Sequence, residues 1–358
     1  MYALATALPL MVCLVWTVNG LLHVRRSNPA QQVLLVFGIV STVLYLCHYL
    51  HFNGEKLPFM ESLYFLCTLS VYPLYNCYVY RLTSRNRMPA WKIALWLLPA
   101  VFMFCWSLFM GRQGAFDLAV KLLVPVVAVA ASVPAAIRLV RFRKNVNNYY
   151  SSPEGKTLDP VFLLLVLQLM ATLATSVVNF IGRDTFMSNS LLWVPSLLFS
   201  VLLFGIFYVG ENTAFPSEEV QEAVKEPAVS PVPEEPSAPH GMTEEQQTLI
   251  MCRIEEQMTR NEIFRTKGLT VSDLAEAVGS NRTYVSVCIN QVAGCTFSDY
   301  INKARVRYVQ ELIRQGGDRQ LNEMAEMAGF NERTAFYRSF KKETGVSPSL
   351  YLARERGI

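Results

Sequence analysis

Residues 320–352 read QLNEMAEMAGFNERTAFYRSFKKETGVSPSLYL, and residues 269–301 read LTVSDLAEAVGSNRTYVSVCINQVAGCTFSDYI. Both follow one pattern: a short helix, a Gly-containing turn and a second helix. Ala275, Glu276 and Gly279 stand 50 positions before Ala325, Glu326 and Gly329, and from Tyr284 onward the offset becomes 51, so that Val285, Ile289, Gly294 and Tyr300 match Phe336, Phe340, Gly345 and Tyr351. One duplicated unit with a single insertion accounts for both offsets. Two copies are too few for a repeat array.

The flanking residues punctuate the helices. Thr243 with Gln246 fits a capping box at the head of a helix over 243–263, with Ile250, Ile254 and Met258 on one face. Thr270 caps a helix through Val278, Gly279 permits the turn, and Asn281 caps a second helix to about Gln291. On that second helix Tyr284, Val285, Cys288 and Ile289 form the buried face, leaving Arg282, Thr283, Ser286, Val287 and Asn290 outward. A helix from about Ser298 to Arg314, apolar at Tyr300, Ile301, Ala304, Val309 and Leu312, joins the copies. At ~25 Å it can hold two helices near the ~34 Å spacing of successive major grooves. In the second copy Met324, Ala325 and Ala328 pack under Phe336 and Phe340, and the exposed face carries Glu332, Arg333, Thr334, Tyr337, Arg338, Lys341 and Lys342.

A helix, a tight turn and an exposed basic helix are what a chain needs to place side chains in the DNA major groove. Net charge does not decide the matter, since residues 242–358 hold 16 basic and 15 acidic groups; the clustering of Arg333, Arg338, Lys341 and Lys342 on one helix does. The stretch AGFNERTAFYRSFKKETGVSPSLY, with GF before the turn and G-x-S-P after the second helix, resembles the signature of the AraC/XylS family of bacterial transcription regulators. The resemblance covers about residues 245–353, with units at about 269–294 and 320–345. It implies a DNA-binding domain of two helix-turn-helix units joined by a helix, with sequence-specific DNA binding. Val287 departs from the family, where a basic residue is frequent, as do Val292 and Cys295 in the turn that follows. Residues Arg282, Thr283, Ser286 and Asn290 of the first unit and Glu332, Arg333, Thr334, Tyr337, Arg338, Lys341 and Lys342 of the second are the candidate DNA contacts.

Residues 1–210 have a different character. Of the 358 residues 52% are hydrophobic, and most of the excess lies here, in seven apolar stretches at roughly 3–22, 33–50, 62–80, 91–110, 118–140, 160–181 and 190–209. Each is near the ~20 residues that a helix needs to cross ~30 Å of hydrocarbon. No amphipathic helices separate them, which argues against buried core helices. The N-terminal MYALATALPLMV lacks the positive segment of a cleavable signal and reads as a retained span.

Loop charges give the orientation. The loops after spans 1, 3 and 5 hold eleven Lys and Arg, at 25, 26, 81, 85, 87, 92, 138, 141, 143, 144 and 156; those after spans 2, 4 and 6 hold four, at 56, 112, 121 and 183. The first group is predicted to be cytoplasmic and the N-terminus outside, and seven spans deliver residues 241–358 to the cytoplasm. A count of six, which Pro125 and Pro134 in the fifth stretch keep open, puts them outside unless the N-terminus also flips. Residues 211–240 read as an acidic tether: Glu211–Pro239 has six prolines, seven acidic residues and only Lys225 as a cation, a composition that cannot bury a core.

The sequence therefore predicts an all-α protein, a seven-helix membrane bundle at 1–210, a linker and a cytoplasmic two-unit helix-turn-helix domain at 241–358. It is expected in a bacterial inner membrane, with double-stranded DNA and the lipid bilayer as partners and with RNA polymerase, a second copy of the chain and an unidentified signal ligand as further candidates. His48, Asn76, Gln168 and Asn179, with Tyr64, Tyr72, Tyr75 and Tyr78, are polar positions within the spans. His48 and His51, followed by Glu55 and Glu61, read as interfacial anchors in preference to a metal site. The eight cysteines form no CxxC pair, and no Walker loop, GxSxG, HExxH or kinase signature is present, so no cofactor and no catalytic residue is expected. A competing reading, from another functional class, is a transporter or membrane scaffold with a helical protein-interaction domain.

Overall fold

The computed structural model describes residues 2–23, 28–54, 58–84, 88–109, 114–181, 193–212, 242–316 and 319–356. Among them there is no strand, and the one β-type contact is an isolated antiparallel bridge between Tyr150 and Thr270. The chain divides into two compact units, Met1–Arg141 with Leu158–Ser217, and Phe142–Thr157 with Glu218–Ile358. Most of the acidic tether, residues 213–241, lies outside the described residues, as do the loop cations at 25, 26, 56, 85, 87, 112 and 183.

A helix forms at each of the seven apolar stretches: α1 (Tyr2–His23), α2 (Pro29–Asn53), α3 (Pro58–Thr83), α4 (Ala90–Phe109), α5 (Gly114–Tyr149), α6 (Asp159–Ile181) and α7 (Trp193–Asn212). Pro125 and Pro134 sit inside a continuous α5, so they do not divide that stretch. All but α3 are long and apolar enough to cross a membrane. Their outward faces are apolar, with Met11, Leu22, Leu95, Phe109, Met170 and Val201 each at least 60% exposed. Helix α3 is as long, at 26 residues, and more polar, and it buries Ser62, Ser70, Tyr75, Asn76 and Tyr78. Neighbouring helices satisfy part of that polarity: Ser62 Oγ donates to Ser107 Oγ at 2.9 Å, the hydroxyls of Tyr72 and Thr172 are 2.6 Å apart, and Arg138 Nη1 donates to Asn76 Oδ1 at 2.9 Å. Polar groups buried this way are kept off the apolar outer faces of the helices.

The second unit contains α8 (Glu244–Thr259), a 3-10 turn (Ile263–Arg265), α9 (Val271–Ala277), α10 (Arg282–Val292), α11 (Phe297–Arg314), α12 (Leu321–Met327), α13 (Arg333–Thr344) and α14 (Pro348–Arg356). The capping box of Thr243 and Gln246 opens α8 as expected. The helix ends at Thr259 and not near 263, because Glu262 takes a left-handed conformation (φ 47°) that an α-helix does not accommodate. There are two hydrophobic cores. Ile254, Leu274, Val285, Ile289, Phe297 and Ile301 fill the first, and Val309, Met324, Ala328, Phe330, Phe336 and Phe340 fill the second. Helix α11 supplies side chains to both, so one rigid rod carries the two helix pairs.

Candidate nucleic-acid interface

The duplication extends to individual atoms. Ser280 N donates to Ala275 O at 2.9 Å and Phe330 N to Ala325 O at 3.0 Å; Gly279 N donates to Glu276 O at 3.1 Å and Gly329 N to Glu326 O at 3.0 Å. Both glycines are left-handed, with φ of 65° at Gly279 and 90° at Gly329, which closes the last turn of α9 and α12 and redirects the chain. After the turn, Asn281 Oδ1 accepts from Tyr284 N at 2.8 Å and starts α10. Glu332, at the head of α13, makes no such side-chain cap.

Of the sequence candidates on α10, Arg282, Thr283, Ser286 and Asn290 are all half-buried. Asn290 Nδ2 donates to Ser286 O at 2.8 Å and to Ser286 Oγ at 3.3 Å, so these two act as one polar patch. Val287, expected to face outward, is half-buried and packs against the first core, so the buried stripe of α10 is wider than the sequence periodicity alone implies.

On α13, Glu332, Arg333, Thr334, Arg338, Lys341 and Lys342 are exposed and Tyr337 is half-buried. The Arg333 guanidinium lies 5.1 Å from the Tyr337 ring centroid and donates to its hydroxyl at 3.4 Å. The Tyr337 hydroxyl also meets Ser349 Oγ at 3.4 Å, and these two contacts, Ser349 first, lower its pKa below the usual tyrosine value. Thr334 Oγ1 donates to Glu332 Oε2 at 3.3 Å. Lys342 Nζ pairs with Asp299 Oδ1 of α11 at 2.5 Å, and Arg338 Nη2 with Glu154 Oε1 at 2.5 Å. The face offers cationic and hydroxyl donors at the spacing of one helix side, with Tyr337 as a flat ring held between two of them.

A family profile described as a helix-turn-helix domain matches residues 274–354. The C-terminal unit carries an AraC-type helix-turn-helix domain. Over 85 residues the chain is 33% identical to the melibiose operon regulatory protein of Escherichia coli, covering 24% of this chain and 28% of that protein. It is 34% identical over 82 residues to the uncharacterized HTH-type transcriptional regulator YisR of Bacillus subtilis, covering 23% and 28% respectively. Over 90 residues it is 33% identical to the transcriptional regulatory protein HptR of Staphylococcus aureus, covering 25% of this chain and 34% of that one. The match thus spans under a third of the length of the first two relatives. A solved structure of a Listeria innocua protein of unknown function aligns at 30% identity over 29% of this chain and 96% of its own, with a TM-score of 0.27.

The AraC-type domain holds a charged centre that the sequence reading did not include. Arg305 of α11 is completely buried. Its Nε donates to Phe264 O at 2.7 Å, its Nη2 to Thr266 O at 2.9 Å and Ser151 Oγ at 3.3 Å, and its Nη1 to Asn302 Oδ1 at 3.3 Å and Ser152 Oγ at 3.4 Å. Burial pulls its pKa down from the ordinary arginine range to about 10, against a smaller opposing effect of the Glu154 carboxylate, so it is cationic at neutral pH. One signal for it was available: Arg305 lies four residues from Ile301 and four from Val309, in the middle of the buried stripe of α11.

In the first unit the polar candidates separate. Tyr72, Tyr75, Asn76 and Gln168 line one cavity with Phe37 and Ile206, with room for about one water molecule. Asn76 Nδ2 and Gln168 Oε1 are buried without a hydrogen-bond partner. His48 stacks on Tyr64 at 6.1 Å between ring centroids, and neither it nor Asn179 lines that cavity. His51 Nδ1 pairs with Glu61 Oε1 at 3.3 Å, and Glu55 lies outside the described residues. Among the described residues no trio of His, Cys, Asp or Glu is grouped to hold a metal.

Proposed function

We propose that this protein is a membrane-anchored, sequence-specific DNA-binding transcription regulator that couples an extracellular or membrane signal to gene expression. The observation that carries the reading is the duplicated turn geometry, with a basic α13 after the second turn, in an AraC-type domain. The matched regions of the melibiose operon regulator and HptR support transcription control as the output.

On this reading Arg338 and Arg333 read base edges from α13, Tyr337 and Thr334 contact base or sugar, Glu332 sets the approach of the helix, and Lys341 and Lys342 hold phosphates. Arg282, Thr283, Ser286 and Asn290 of α10 serve the first half-site. Seven spans, including α3 with its polar side chains turned inward, and the excess of loop Lys and Arg on one side favour an outside N-terminus and a cytoplasmic C-terminal unit in a bacterial inner membrane. RNA polymerase, a second copy of the chain and a small signal molecule are its further partners.

The test is genome-wide DNA occupancy of the full-length chain in cells, with Arg338→Ala as the control. A shared sequence motif under the occupied sites, lost in the variant, is the expected result. Occupancy without a motif, equal in both chains, rejects the reading in favour of a transporter or scaffold whose helical domain binds protein.

A further inference from the structure

Residues 142–157, the last two turns of α5 and the loop after it, belong to the same compact unit as the AraC-type domain. Their seat on that domain is extensively bonded. Tyr150 forms the antiparallel bridge with Thr270, and Ser151 N donates to Leu269 O at 3.0 Å. Ser151 O accepts from Ser298 Oγ and from Asn302 Nδ2, each at 3.1 Å. The hydroxyls of Ser151 and Ser152 accept from Arg305, and Ser272 Oγ donates to the Tyr149 hydroxyl at 3.3 Å. Ser151 is wholly buried and Tyr150 is 7% exposed. Backbone pairing fixes the register of this segment, and the register sets where Glu154 falls.

Glu154 meets Arg338, the arginine proposed to read base edges. Its side chain is 12% exposed, while that of Arg338 is 67% exposed, so the carboxylate is held by its surroundings and the guanidinium comes to it. A carboxylate offers the same paired acceptor oxygens to a guanidinium as a phosphate does, and competes for the same donors. It also sets a negative charge beside the face that would approach DNA phosphates.

We propose that the segment Tyr150–Thr157 is an intramolecular ligand of the AraC-type domain, seated by Arg305 and the Tyr150–Thr270 bridge, whose Glu154 occupies Arg338 and competes with DNA for it. The inference rests on the DNA-reading role of α13. It assigns regulation to a loop that continues directly from α5, so release of DNA-binding activity requires that this loop move off or shift its register.

The experiment uses the full chain in lipid nanodiscs and random-sequence duplex DNA as probe. Antiparallel bridge partners have Cα atoms ~4.5–5.5 Å apart, within the ~4.4–6.8 Å that a disulfide spans, so the double variant Y150C/T270C locks the seat on oxidation. The oxidised form is expected to bind duplex about tenfold more weakly than the same sample reduced, within the usual range of coupling between sites. Glu154→Gln in the unlocked chain is expected to tighten binding about two- to fivefold, the scale of one exposed ion pair. Absence of the cross-link, equal affinity of oxidised and reduced chains, or an unchanged affinity of Glu154→Gln each overturns the proposal. If the reduced chain binds duplex no better than one that also carries Arg338→Ala, the reading role of α13 fails and the proposal falls with it.

Discussion

Arg338 and the two lysines one turn beyond it look equivalent in sequence and are not equivalent in the fold. Arg338→Ala is expected to weaken sequence-specific binding by ~1–3 kcal/mol if the guanidinium reads a guanine, measured by competition between selected and random duplex. Lys342 is already paired with Asp299, whereas Lys341 stands exposed on the same helix. Removing Lys341 is therefore expected to reduce the slope of log affinity against log salt by about 1, and removing Lys342 by less, because Asp299 already neutralises part of its charge. Equal slopes for Lys341→Ala and Lys342→Ala count against this distinction. The basic character of α13 was legible because it is a local property of twelve residues. The Asp299 and Glu154 partners were not, since they stand 43 and 184 positions away along the chain.

The helix pairs were legible in the same local way, and their turns show how far such reading goes. Gly279 and Gly329 occupy matched positions with matched hydrogen bonds, yet a Cβ at Gly329 would lie 2.5 Å from Arg265 O, while at Gly279 its nearest neighbour would be Arg253 Nη1 at 3.9 Å. Gly279→Ala is expected to cost about 1 kcal/mol from the left-handed backbone alone. Gly329→Ala adds a backbone clash and is expected to reach about 3 kcal/mol or more, seen as faster amide exchange across α12 and α13. The difference comes from the 3-10 turn at 263–265, where the sequence suggested the end of a longer helix. Arg305 depends on the same turn through Phe264 O and Thr266 O. Arg305→Met leaves those carbonyls and two serine hydroxyls without their donor, and a loss of about 3–5 kcal/mol in the unfolding of this unit is expected by denaturant titration. A loss below about 1 kcal/mol would mean that water replaces the guanidinium.

Across the whole chain, the long apolar helices were readable because each stretch is a local matter of length and composition, and the AraC-type domain because its motif is compact. The assignment of residues 142–157 was hidden by that same logic. In sequence, Arg143, Lys144 and Lys156 read as a basic loop after an apolar stretch, and nothing in that pattern announces a bond network with residues 264–305. The AraC-type domain is consequently a folding unit written in two separate passages of the chain. A soluble fragment that begins after the acidic tether lacks one of its own pieces, and Arg305 in it loses Ser151 and Ser152. Such a fragment should behave as half of a split protein, gaining thermal stability when a peptide of residues 142–157 is supplied in trans.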